Sequence, residues 1–365
     1  MHRFITIVFM LVFTLSLTSV YAERLLVLSD LHFTADGETE SLREAVCSLT
    51  GPDCALLVLG DMANSGRETE HDQVVSFLAG IREETGCPVF VLPGNHDLSG
   101  GFSPSGFAQL YDSFGYGDAD FREPSGASYA RFFADNYLLV MLDMNGYDEI
   151  RRDVQHGAIS ETCCAWLRSV LLSVPAGVQI VVCGHYPILP AVSGGNDDTG
   201  GATALAALLR EFSVHVYLCG HRHSNYTLEE DGLRQIAIGV PFAWPACMGS
   251  LTCRQVGFFY EMIPLYASDS EVMKSMRQEQ LSLARRMAEG SLAGTQYEGD
   301  REAIDWFVSA FLSSMEGTLK AQQTTFLSDK SYGKWQRAEV RSMAKPWILS
   351  LVEHPPEDVS RIEIR

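Results

Sequence analysis

Hydrophobic and polar positions along this chain fall into blocks whose period changes repeatedly. Residues 24–29, 55–59 and 89–92 carry short, nearly unbroken apolar runs. Runs of this length that stop abruptly at Gly or Asp read as strands buried on both faces, the kind found inside α/β layers. Between them the period lengthens. Leu42, Ala45, Val46 and Leu49 share one helical face, as do Val74, Phe77, Leu78 and Ile81, so the spacing predicts helices over 41–49 and 70–84. Strand, helix, strand, helix, strand implies βαβ units and a parallel sheet.

The same reading continues downstream. Residues 100–126, rich in Gly, Ser, Pro and aromatics, read as an irregular excursion. Residues 128–133 and 137–142 form an expected antiparallel pair joined at Asp135-Asn136. Ser160 is a candidate N-cap for a helix that turns Trp166, Leu167, Val170 and Leu171 inward. A strand over 179–183, a turn-rich loop at 194–198, a helix over 202–212 and a strand over 214–219 follow. Asp231-Gly232 between two alternating runs predicts a hairpin with a type I′ turn. Residues 258–263 are the expected last strand. After about Pro264 the pattern turns helical: Val272, Met276, Leu283 and Met287 form one stripe, and Ala303, Phe307, Ala310, Phe311 and Met315 another. The expected organisation is therefore an α/β domain over 23–267 and a helical C-terminal appendage over 268–365.

The first residues stand apart. Met1-His2-Arg3, an apolar stretch over 4–17 and Val20-Tyr21-Ala22 before Glu23 read as a cleaved signal peptide over 1–22,. That predicts export, secreted or periplasmic, without a stable membrane span afterwards, since no other stretch is long and apolar enough. A formal net charge of −19 argues against nucleic acid or an anionic membrane as partner. Nine cysteines leave at least one thiol over. Cys183 and Cys219 read as buried thiols, and Cys247 with Cys253, flanking a short loop, as a weak disulfide candidate.

Five stretches carry the chemistry. Asp30-Leu31-His32, Gly60-Asp61, Gly94-Asn95-His96-Asp97, Gly184-His185 and Gly220-His221-Arg222-His223 each follow an apolar run. Asp30 and His32, two apart on an extended strand end, suit an oxygen-plus-imidazole ligand pair for Mn, Fe or Zn. Asp61 is the natural bridge between two cations. Asn95 offers a neutral carbonyl oxygen. His96 is placed to donate a proton to a leaving alkoxide, and Asp97 to hold its ring. His185, His221 and His223 complete the set. Taken singly, each stretch reads equally well as a polar turn or a structural histidine. Five of them in order, each at the C-terminal end of an expected strand, are what sets the pattern apart. Two Asp, one Asn and four His suit two cations about 3.5–4 Å apart that share a carboxylate.

This set of motifs resembles the calcineurin-like metallophosphoesterase superfamily, over roughly residues 25–263. The resemblance implies a four-layer α/β/β/α sandwich with two divalent or mixed-valence metal ions (Mn, Fe or Zn). One ion would be held by Asp30, His32, Asp61 and His223, the other by Asp61, Asn95, His185 and His221. His96 would act on the phosphate or leaving group, and a metal-bridged hydroxide would attack phosphorus. Residues 60–71 are similar to the second block of class III cyclic-nucleotide phosphodiesterases and their exported bacterial relatives, which favours phosphodiester substrates. A phosphomonoesterase, or an exported inactive binding protein of the same fold, stands as the alternative. Asn64 and Tyr186 are expected either to touch substrate or to play structural roles.

Overall fold

The computed structural model describes residues 24–124, 126–133, 136–146, 157–189, 199–340, 342–357 and 359–365. The expected leader over 1–22, Asp135 of the hairpin turn and the loop over 194–198 lie outside the described residues. No helix among the described residues is long and apolar enough to cross a membrane.

The first three strands are β1 (Arg24–Leu28), β2 (Cys54–Leu59) and β3 (Val89–Leu92), with α1 (Glu40–Leu49) and α2 (Glu68–Thr85) between them. The three strands run parallel, so their C-terminal ends share one edge. Residues 95–133 hold α3 (Asn95–Ser99), α4 (Pro104–Leu110), β4 (Phe121–Arg122) and β5 (Tyr129–Phe133). The chain continues through β6 (Tyr137–Met141), α5 (Glu161–Ser173), β7 (Gln179–Cys183), α6 (Ala202–Glu211) and β8 (Val216–Cys219). Ser160 caps α5 as expected, accepting a hydrogen bond from Cys163 N–H. The hairpin of β9 (Tyr226–Glu230) and β10 (Leu233–Ala237) turns at Asp231 and Gly232, whose φ values of 50° and 80° fit the mirror-image turn,. β11 (Cys247–Cys253) and β12 (Phe258–Pro264) follow.

Two mixed sheets result, ordered β4-β5-β6-β7-β8-β10-β9 and, with a late strand β13 (Arg361–Ile364) at its edge, β13-β12-β11-β1-β2-β3. Helices cover both outer faces, which gives the expected four-layer sandwich. The layering follows from strand alternation. Leu139, Met141, Val181, Cys183, Val216 and Leu218 join the core shared with the sheet of β1, β2 and β3 and with α2. Their neighbours Leu138, Val140, Val182, Tyr217 and Cys219 face the second core, beneath α5 and α6.

Two expectations need correction. Cys247 and Cys253 do not flank a loop: they sit at opposite ends of β11, paired between β1 and β12. Seven extended residues hold their ends roughly 20 Å apart, far beyond disulfide reach, and all nine cysteines are free thiols. Nor does the sheet end at residues 258–263, because β13 returns from the C-terminus to pair with β12. Between them, α7 (Glu271–Leu292), α8 (Arg301–Met315), α9 (Leu319–Ser328), α10 (Lys330–Arg337) and α11 (Ala344–Glu353) pack around their own core of Phe307, Phe311, Trp335 and Ile348.

Candidate metal centre

Every expected ligand lies just beyond a strand: Asp30 and His32 after β1, Asp61 after β2, Asn95 after β3, His185 after β7, and His221 and His223 after β8. The parallel ladders extend past the strands and zip these loops together in pairs. Asp30 N–H donates to the Gly60 carbonyl (3.0 Å) and His32 N–H to the Asp61 carbonyl (2.9 Å). On the other sheet, Gly220 N–H donates to the His185 carbonyl (2.9 Å). The two sheets are joined where His185 Nδ1–H donates to the Leu59 carbonyl (2.7 Å) and His221 N–H to Asp30 Oδ2 (3.0 Å).

The backbone at this edge is unusual. Asp30, His32, Asp61, His221 and His223 have φ values of 56°, 46°, 51°, 69° and 53°, in the left-handed region. For residues with a Cβ this costs on the order of 1 kcal/mol each. The tertiary structure holds all five there, turning their side chains toward one point. Gly94 permits the approach of the third loop, since a Cβ on it would overlap the Asp61 backbone nitrogen and carboxylate.

The side chains converge on two overlapping sets. Asp30, His32 and His223 form one and Asp61, His185 and His221 the other, each with ligand atoms within 4.8 Å of one another. Asp61 sits between them. Its Oδ1 accepts His96 N–H (2.8 Å), so Oδ2 alone faces the centre, 3.3 Å from His185 Nε2 and 3.9 Å from His32 Nε2. A bridge between two cations would therefore rest on one carboxylate oxygen. Three buried polar atoms here lack a hydrogen-bond partner: Asp30 Oδ1, Asn95 Oδ1 and His185 Nε2. Leaving such atoms unpaired is costly, and cations at the centre would satisfy all three. The donor set of carboxylate, amide oxygen and imidazole fits Mn, Fe or Zn.

Electrostatics agree. Burial raises the Asp30 and Asp61 carboxyl groups, but the neighbouring histidines outweigh it and hold both below the usual range. Burial opposes charge on His185 as well, yet the Asp61 carboxylate prevails and lifts it to about 9. Positive charge at Nε2 is thus strongly favoured. Burial and the His185 charge push His221 down to about 4, leaving its ring neutral with a free lone pair.

The third loop departs from expectation. Asp97 does not hold the His96 ring. Its Oδ1 accepts Met62 N–H and Ala63 N–H (both 2.9 Å), and its Oδ2 accepts Gly94 N–H (2.8 Å). The carboxylate is needed there because two adjoining loops present unpaired donors in a buried space. Burial first, then the Asp61 charge, raise it to about 7. The Asn64 carbonyl holds His96 Nδ1–H instead, and His96 Nε2 turns toward Asp61 Oδ2 at 4.0 Å. His96 also forms a ligand-like grouping with His32 and Asp61. Tyr186 is buried, its hydroxyl donating to Asn145 Oδ1 (3.2 Å), so its role is in packing. His71 was missed by sequence reading. It is buried in α2, donates from Nε2 to the Asp97 carbonyl (3.0 Å) and pairs with Tyr111 through Nδ1 (2.8 Å). The backbone partners Leu59 and Asn64 were missed too, since a carbonyl leaves no residue-type signal.

A four-layer sandwich whose strand ends gather two sets of metal-ligating side chains around one shared carboxylate defines a dinuclear metallophosphoesterase fold. Residues 23–225 match the calcineurin-like phosphoesterase family, and the chain belongs to it. It is 28% identical over 174 residues to a probable cyclic nucleotide phosphodiesterase of Rhodopseudomonas palustris, covering 45% of this chain and 57% of that one. It is also 28% identical over 165 residues to tartrate-resistant acid phosphatase type 5 of Rattus norvegicus, covering 42% of this chain and 48% of the relative. The chain spans about half the length of these curated relatives. A dimetal phosphatase from Danio rerio has the same fold, with a TM-score of 0.53 at 18% identity, over 67% of this chain and 97% of the other.

Proposed function

We propose that this chain is an exported, two-metal phosphoesterase that hydrolyses phosphodiesters. The observation that carries the reading is the single free oxygen of Asp61 between two ligand sets, with three buried polar atoms around it that lack a hydrogen-bond partner and suit a cation. Asp30, His32, Asp61 and His223 would hold one ion, and Asp61, Asn95, His185 and His221 the other. Two bound cations supply Lewis-acid polarisation of the phosphoryl oxygens and a lowered pKa for a shared water.

The chain's own residues do the rest. The Leu59 carbonyl holds His185 Nδ1–H, so Nε2 is the nitrogen that would give up its proton and turn its lone pair to a cation,. Asp30 and Asp61 each commit one oxygen to a backbone N–H and keep the other for the centre. His96, with Nδ1–H held by Asn64, turns Nε2 toward the same space, where its protonated form would donate to the departing oxygen,. Asp97 and His71 brace the loop that carries Asn95 and His96.

The diester preference is supported by the relative named a probable cyclic nucleotide phosphodiesterase. The relative named an acid phosphatase supports the second reading, a monoesterase. Turnover of bis(p-nitrophenyl) phosphate and p-nitrophenyl phosphate with added Mn²⁺ separates the two. Much faster monoester hydrolysis would overturn the diesterase reading. No turnover of either, with fewer than about one metal per chain retained after Mn²⁺ reconstitution, would favour the inactive binding protein.

A further inference from the structure

A cleft of about 410 Å³ opens directly beside the metal centre, and Asp30, His32 and His223 form part of its wall. Its lining also holds an apolar group: Phe33, Val240, Phe242 and Ala243. Phe242 is 38% exposed, the one aromatic ring among the exposed large apolar side chains of the described residues, and it lies 5.9 Å from the ring of Phe33, tilted by 59°. Glu38 and Thr39 also line the cleft, and none of its described lining residues is Lys or Arg. Such a surface offers a second phosphate no Lys or Arg and repels one through Glu38,. An uncharged planar group, by contrast, would lie against the open face of Phe242.

The position of Phe242 is set from outside the sandwich. Two residues further on, Trp244 packs against the core of the helical unit. Its Nε1–H donates to Glu316 Oε1 (2.9 Å), just after α8, and Arg277 of α7 lies over its ring at 5.7 Å. Ser224, next to His223, contacts Met315 Sδ at 3.6 Å. The helical unit therefore braces the segment of the cleft lining that carries Phe242.

We infer that this cleft is the subsite for one ester substituent of the substrate, that the substituent is an uncharged ring such as an aryl group or nucleobase, and that Phe242 is the residue that selects it. The inference rests on the phosphoester reading above, and binding rather than turnover tests it separately. Phenylphosphonate and methylphosphonate share a phosphonate head for the metals and differ only in the ring. Calorimetric titration of the Mn²⁺-loaded full chain should show phenylphosphonate binding about threefold to tenfold tighter. Phe242→Ala should erase most of that ratio while leaving methylphosphonate affinity and metal content unchanged. Phe242→Leu should keep part of it. Equal affinities in the wild type, or the same ratio in Phe242→Ala, would overturn the inference even if the chain hydrolyses phosphodiesters. A Phe242→Ala loss shared equally by both phosphonates would overturn it too, since Phe242 would then act through the centre. If the ring preference holds and neither nitrophenyl ester is turned over, the subsite stands and the catalytic reading fails.

Discussion

Replacing Asp97 tests whether its carboxylate braces the site or acts on His96. Three buried N–H donors, from Met62, Ala63 and Gly94, end on it. Leaving a buried donor unpaired costs about 1–3 kcal/mol. Asp97→Ala orphans all three. Asp97→Asn keeps an oxygen where Oδ1 accepts from Met62 and Ala63, but sets an amide N–H against Gly94 N–H. Both variants remove the same buried charge, so its relief drops out of the comparison. Two retained bonds, less roughly 1 kcal/mol for the opposed donors, leave Asp97→Asn more stable by about 1–5 kcal/mol. At about 2–4 °C per kcal/mol that is several degrees in midpoint. Scanning calorimetry should place Asp97→Asn above Asp97→Ala. Metal content by mass spectrometry should fall in the same order, because the braced loops carry Asp61 and Asn95. If either variant kept full stability and full metal content yet lost turnover, the bracing role would be wrong and Asp97 would belong to the chemistry.

Other outcomes follow from the same geometry. Asp61→Ala should lose the oxygen shared by both ligand sets, dropping metal content below one ion per chain and abolishing turnover. His96→Ala should retain its metals and lose rate by about 10²–10⁴-fold, most on esters with poor leaving groups; equal metal loss in this variant would mark His96 as a ligand. Gly94→Ala should lower both melting midpoint and metal content, since the added Cβ overlaps Asp61; an unchanged midpoint would contradict the close approach. Chelation should lower the midpoint of the wild type much more than that of Asp61→Ala. Each site filled at 100 times its dissociation constant adds about 2.7 kcal/mol to the native state.

Much of this protein was legible before folding was considered. Side-chain period reports local burial, and it located β1, β2, β3, β7 and β8 with α1, α2, α5 and α6 between them. Because all seven candidate ligands sit in loops directly after such strands, residue type and position were enough to nominate Asp30, His32, Asp61, Asn95, His185, His221 and His223. Pairing is not local, and there the pattern failed. β11 is broken by Gly249, Ser250 and Thr252, so it does not read as a strand, yet it lies beside β1 in the middle of the sheet. Gly249 is required there because a Cβ would come within 2.9 Å of Tyr260 and 3.0 Å of Ile238. β13 is too short to announce itself and pairs with β12 only after the whole helical unit has intervened.

The sequence by itself determined which candidate metal ligands the chain carries and at which ends of which strands, because ligand chemistry belongs to side chains and strand period to adjacent residues. Only the tertiary structure decided how they meet. It assigned one Asp61 oxygen to His96 N–H and the other to the centre. It gave His96 to a carbonyl and Asp97 to three backbone donors. It set the Phe242 wall against a helical unit whose own sequence carries no ligand. Each of these depends on contacts between segments far apart in the chain, made through backbone groups that every residue type shares.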